Sequence, residues 1–168
     1  MIADSEDKSH LLSAHARAEI DHWVSKFPPE GIQSASIRAL MAVQHDNGGW
    51  VSNELMDAVA DYLGIPRVSV YEVASFYSMI ETEPTGRHSV SICTNISCML
   101  VGADDLLAHV ERRLGCKRGE STADGRIFLK MEEECLAACR CAPMMQVDHV
   151  YYENLTPERV DEILDGLE

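Results

Sequence analysis

Cysteine is the residue type whose spacing in this sequence could do chemistry. Cys93 and Cys98 enclose four residues, Cys135 and Cys139 enclose three, and 36 residues separate the two pairs. Cys116 and Cys141 stand outside that pattern, and the first 92 residues hold no cysteine, so the chemistry is confined to the C-terminal half. The opening MIADSEDKSH is acidic and has neither the apolar stretch of a secretory signal nor the Arg-rich pattern of a transit peptide. A cytoplasmic setting is therefore expected. Structural disulfides are rare there, which turns the cysteines toward metal binding or redox chemistry.

Spacing weighs the possibilities. Structural zinc prefers two residues between paired cysteines, and neither pair has that spacing. A thiol–disulfide oxidoreductase ordinarily offers Cys-x-x-Cys, which is absent. A four-cysteine 2Fe–2S site takes wider loops, as plant-type ferredoxins illustrate, because its core holds sulfurs farther apart than one zinc ion does. That reading leads on spacing, while zinc and buried unliganded cysteines stay open beside it. Thr94, Asn95, Ile96 and Ser97 in one loop, and Leu136, Ala137 and Ala138 in the other, are uncharged and mostly small. Small residues let backbone N–H groups approach sulfur and tune a potential. Cys98 also precedes a helix predicted from about Gly102, whose free N–H groups and positive end are expected to favour its thiolate. Cys116 has no close cysteine neighbour and is read as a bystander. So is Cys141, although it lies two residues past Cys139 and could compete for iron. The seven histidines are scattered outside both loops, which removes a Rieske arrangement.

Composition narrows the class. The chain has 168 residues, 46% hydrophobic and 25% charged, enough to bury one core or two small ones. Its 28 acids against 14 bases give a net charge of −14, which disfavours nucleic acid and anionic membrane surfaces. No apolar run approaches the roughly 20 residues of a bilayer-spanning helix. Gly48-Gly49 lies outside any dinucleotide fingerprint and no phosphate-binding loop is present, so nucleotides are left to another chain.

Two kinds of element must position the cysteines. Residues 11–82 read as a bundle of four short amphipathic helices, after a flexible tail over 1–10. Leu12, Ala16, Ile20, Trp23 and Phe27 share a face of the first helix, which should stop at Pro28-Pro29. Ile37, Leu40, Met41 and Gln44 mark the second. Leu55, Val59 and Leu63 mark the third, between a Ser52 cap and Gly64. The fourth carries a capping-box pattern from Ser69 to Glu72, then Val73, Phe76, Tyr77 and Ile80 on one face. Its aromatic residues exceed what a small bundle easily buries and suggest a partner. ETEPTGRH breaks the helical period, and residues 83–168 read as strand, helix, three strands and a last helix. Val90 and Ile92 end at Cys93; Ala103 to Leu114 forms a helix closed by Gly115; Ile127, Leu129 and Met131 alternate. MMQVD and HVYYE suggest a hairpin, in which Met144 and Met145 either shield the site or simply pack. Thr156-Pro157 opens the last helix. The fold class expected is α+β.

These residues carry a resemblance. Cys93-Thr94 through Cys98 followed by Gly102, and E-C-L-A-A-C-R-C-A-P-M-M-Q-V from Glu134, resemble the thioredoxin-like 2Fe–2S ferredoxins, in particular those serving as the E-type subunit of complex I. Q-H-D-N-G-G-W-V-S from Gln44, V-Y-E-V-A-S-F-Y-S-M from Val70, and the Pro84–Gly86 turn are similar to the same family in the same order. The resemblance implies a thioredoxin-like domain over residues 83–168 with one 2Fe–2S cluster on Cys93, Cys98, Cys135 and Cys139. It implies a subunit of an NADH:quinone oxidoreductase at the cytoplasmic face of the inner membrane, with no membrane contact of its own. NADH and FMN would be bound by the partner, an F-type subunit of the same complex. The equivalent subunit of an NAD-linked hydrogenase or formate dehydrogenase is the alternative parent, and a zinc-bearing structural module the alternative from another class. Two departures stand out: Ala137 replaces the family's usual Gly in the second loop, and Cys141 replaces a small polar residue.

Overall fold

The computed structural model describes residues 6–131 and 135–168. Residues 1–5 of the expected tail, and Glu132, Glu133 and Glu134, expected to face solvent, lie outside the described residues. The chain divides into two compact units, Met1–Pro84 and Thr85–Glu168.

The first unit contains α1 (Ala14–Val24), α2 (Ser36–Asp46), α3 (Asn53–Leu63) and α4 (Arg67–Phe76). Ser13 caps α1 by accepting from the Ala16 N–H. The helix ends at Val24, short of the prolines, and Pro29 instead opens a 3₁₀ segment, Pro29–Ala35. In α2 the buried side is Ser36, Ala39, Leu40 and Val43, so of the expected Ile37–Leu40–Met41–Gln44 face only Leu40 is fully buried. Small residues let α2 approach its neighbours closely, and Gln44 does another job. Its amide donates to the Met79 carbonyl and accepts from the Glu81 N–H, tying down the exit of the unit. Ser52 and Gly64 close α3 as expected, the glycine at φ 67 in the left-handed region.

The expected capping box does not form. α4 starts earlier, with Pro66 at its N-cap, which leaves Ser69 already inside the first turn. The helix buries Val70 and Ala74 and stops at Phe76, so Tyr77 is extended and the expected four-residue face is broken. Of that set only Ile80 is buried, and Phe76 is 79% exposed. Arg67 joins α4 to α3 through two hydrogen bonds to the Asp61 carboxylate, at 3.1 and 2.7 Å, and a third to Asp57. Lys8 donates from its backbone to Asp61 and from its side chain to Asp57, which fixes the segment before α1. The hydrogen bond from Arg67 holds the Asp61 carboxyl below the usual carboxylate range.

The second unit contains β1 (His88–Ile92), α5 (Ile96–Met99), α6 (Ala103–Leu114), β2 (Glu120–Ser121), β3 (Ile127–Leu129), β4 (Met145–Val147), β5 (Val150–Tyr152) and α7 (Pro157–Asp165). The sheet order is β2-β3-β1-β4-β5, with β1 and β3 parallel and the other pairs antiparallel. Parallel neighbours need a crossover, and α6 supplies it. Strand β2 was not expected, because two exposed polar residues carry no hydrophobic pattern. Met131 lies past the end of β3 and is exposed. Val90, Ile127, Leu129, Met145 and Val147 from the sheet share one core with Leu106 and Val110 of α6 and Val160 and Leu164 of α7. Thr156 caps α7 through the Arg159 N–H, with Pro157 in the first turn.

The β4–β5 hairpin is closed by Asp148 and His149 at φ 47 and 71, the positive-φ pair of a type I′ turn. Asp148 then reaches across to β1. Its carboxylate accepts from the Ser89 N–H and pairs with His88 Nδ1 at 2.6 Å, while His88 Nε2 lies 2.9 Å from the Glu168 carbonyl. The hydrogen bond to Asp148, then the one to Glu168, raises the His88 pKa above the usual 6.5; burial and Arg87 oppose the rise. A raised pKa means that the charged form is preferred in the folded chain. Its stabilisation is complete below the unfolded value and is lost as pH climbs through the folded one. The His88→Gln variant should therefore trail the parent most in urea unfolding at mildly acid pH. The gap should close in alkaline buffer.

Candidate metal centre

Strand β1 delivers Cys93 at its exit, where the Cys93 N–H donates to the Met144 carbonyl at 3.3 Å. The Asn95 side chain then accepts from the Ile96 N–H and opens α5, which carries Cys98. Four residues are too few to show a helical period, and the cap residue Asn95 is the one sequence signal for this short helix. Cys135 and Cys139 lie between β3 and β4, with Cys139 opening a 3₁₀ turn, Cys139–Cys141. Cys93 and Cys98 are 2% and 1% exposed, whereas Cys135 and Cys139 are exposed.

The two loops meet. Cys93, Cys98, Ala103 and Met144 form one buried cluster, and Leu136, Ala138 and Ala142 from the second loop pack against it. The two methionines thus divide: Met144 covers the first cysteine pair, and Met145 belongs to the sheet core. Cys135 Sγ and Cys139 Sγ are 3.2 Å apart. Two thiolates on one tetrahedral ion at about 2.3 Å would lie about 3.8 Å apart, so a small opening of the loop suffices. The Ala137 N–H donates to Cys135 Sγ at 3.4 Å, a hydrogen bond of the kind that stabilises charge on sulfur.

Cys98 corrects one expectation. It sits within α5 and is buried, and its pKa is pushed up to about 11, first by burial, then by the hydrogen bond and charge of Cys93. A backbone hydrogen bond from Met144 opposes this, and the charge of Cys139 adds to it. Desolvation outweighs any benefit from a helix start, so the neutral thiol is favoured in the cluster-free chain.

Among the described residues no three His, Cys, Asp or Glu side chains gather closely enough for a single metal ion. The thiols come as two pairs, and a binuclear core with four thiolate ligands, two on each iron, asks for pairs. The all-sulfur donor set, the apolar cover and the sulfur-directed N–H groups fit such a group. Cys116 is buried in the sheet core, and Cys141 is half-buried, its pKa raised by the Glu153 carboxylate.

Ala137 sits at φ 62, in the left-handed region that glycine adopts freely. This gives the departure from the family's glycine a physical meaning. Ala137→Gly should relieve the loop by about 0.5–1 kcal/mol, the strain of a left-handed alanine less the added entropy of the unfolded chain. Denaturant titration of the cluster-free chain measures it.

The family model of the thioredoxin-like [2Fe-2S] ferredoxins matches residues 20–168. The chain belongs to this family. It is 41% identical over 163 residues to the E subunit of the NADH-quinone oxidoreductase of Rickettsia bellii (strain RML369-C), covering 97% of this chain and 93% of that protein. It is 42% identical over 150 residues to the second E subunit (E 2) of the NADH-quinone oxidoreductase of Rhizobium meliloti (strain 1021), covering 89% and 87%. Among solved structures, an NAD+-reducing [NiFe]-hydrogenase in the air-oxidized state shares the fold, with a TM-score of 0.64 and 19% identity over 76% of this chain. The chain spans only 22% of that hydrogenase chain. The family implies an iron–sulfur cluster, and these relatives are oxidoreductase subunits. Among the described residues, no helix is long and apolar enough to cross a membrane.

Proposed function

We propose that Cys93, Cys98, Cys135 and Cys139 hold one 2Fe–2S cluster, and that the chain exchanges single electrons with the FMN of an NADH-binding partner in an NADH:quinone oxidoreductase. The observation that carries the site is the packing of Leu136, Ala138 and Ala142 against buried Cys93 and Cys98. It supports bringing both cysteine pairs to one place. The two relatives named as E subunits support the parent complex. When bound, the cluster supplies a one-electron redox couple.

The chain's own residues do the rest. Cys93 and Cys98 present two sulfurs from a buried position, where the low-dielectric surroundings strengthen their attraction to iron. Met144 and Leu136 exclude water on that side. The Ala137 N–H and the Met144 backbone offset negative charge on Cys135 and Cys98. Cys135 and Cys139 leave one edge open, and Ile96, Met99, Leu100 and Val101 expose apolar surface on α5 and just after it. That surface suits a flavin-binding partner approaching the open edge. The complex would lie at the cytoplasmic face of the inner membrane, held there by other subunits.

NADH should leave the isolated chain oxidised and should reduce its cluster once the flavin-binding partner is co-expressed, as followed by EPR. Reduction of the chain alone, or no reduction in the complex, would count against the proposal. The shared fold of the NAD+-reducing hydrogenase favours one second reading, the equivalent subunit of such an enzyme. Co-purification with nickel–iron subunits rather than quinone-site subunits would establish it.

A further inference from the structure

The two cysteine pairs differ in a way that cluster binding does not require. Cys93 and Cys98 are 2% and 1% exposed, while Cys135 and Cys139 are both exposed with sulfurs 3.2 Å apart. Cys141 cannot easily join them. It follows Cys139 by two positions in a 3₁₀ turn, so the two side chains point apart. Cys116 lies in the sheet core. One pair alone is both adjacent and within reach of a solute.

We propose that Cys135 and Cys139 form a reversible thiol–disulfide site in the cluster-free chain, with a small-molecule disulfide as oxidant. Cys135, exposed and 3.2 Å from Cys139, attacks one sulfur of the small disulfide. It forms a mixed disulfide and expels one small thiolate. Cys139 then attacks the Cys135 sulfur, and the second small thiolate leaves. The two cysteine protons pass to the departing thiolates. The protein loses two electrons and two protons, and one small disulfide becomes two thiols. The closed pair is shielded from irreversible oxidation, and a dithiol reopens it. One consequence rests on the ligand assignment proposed above: the oxidised chain cannot accept a cluster until it is reduced.

The test treats the full chain, stripped of iron by chelation, with oxidised glutathione, then blocks free thiols and maps peptides by mass spectrometry. The expected product has a Cys135–Cys139 bond, four blocked cysteines and no retained glutathione. Cys139→Ser should instead keep one glutathione on Cys135. A bond involving Cys93, Cys98, Cys116 or Cys141, or six blocked cysteines after treatment, would overturn the proposal. In parallel, ferrous iron and sulfide are added before and after dithiothreitol. Uptake only after reduction is expected, and equal uptake by the oxidised chain would overturn the proposed gating. A fully reduced chain that takes up no cluster would defeat the ligand assignment, while the peptide map still decides the disulfide.

Discussion

Cys98→Ser is expected to empty the site. Serine has nearly the size of cysteine, but its hydroxyl resists deprotonation and is a harder, poorer ligand for iron. At Cys98 the loss is compounded by burial, because no water or spare side chain reaches the position: it is 1% exposed among Cys93, Ala103 and Met144. Cys93→Ser should behave alike. Cys135→Ser and Cys139→Ser should also lower iron content or alter the visible spectrum, but Cys139 has a neighbour that could help. Cys141 lies at the other end of the same 3₁₀ turn, so a shift of that turn could bring its sulfur in. Cys141→Ser alone should keep the cluster, and Cys139→Ser with Cys141→Ser should lose more than Cys139→Ser. Iron and labile-sulfide analysis reads all of these. Cys141→Ser emptying the site while Cys139→Ser leaves the spectrum unaltered would reassign the fourth ligand.

Gly86→Ala should sharply destabilise the second unit. A Cβ at Gly86 would lie 2.6 Å from the Ile127 carbonyl carbon and 2.7 Å from the Phe128 nitrogen. Both are backbone atoms of β3, so no side chain can swing away. The strand itself would have to move, and its register with β1 begins next door, where His88 pairs with Ile127. Overpacking of this kind costs about 3 kcal/mol. Gly48→Ala is the control, since it meets nothing within 4 Å and its φ of +72 makes the cost purely conformational, about 1 kcal/mol. Amide-exchange protection in β1 and β3 should collapse for Gly86→Ala and persist for Gly48→Ala. Equal protection in both would show that the strand yields.

The regular elements were legible because their patterns were long. The stripe from Ala103 to Leu114, the Ser52 and Thr156 caps, and Gly64 and Gly115 state helix limits in single residues. What failed was short or decided by distant contacts. Two exposed residues define β2, four define α5, and neither holds a full period. The start of α4 was misread because Ser69 and Glu72 imitate a cap that Pro66 pre-empts. For the site, spacing singled out the four cysteines. It could not give the burial difference between the pairs, which depends on Met144, just before β4, and Leu136 of the second loop packing on the first pair. Nor could it give the raised Cys98 pKa, since burial is a property of the packed fold.

The most direct test of the account is the metal itself. Purified anaerobically, the chain should contain about two iron and two acid-labile sulfide and give a 2Fe–2S EPR signal on reduction. One zinc per chain with no sulfide and no signal would contradict it.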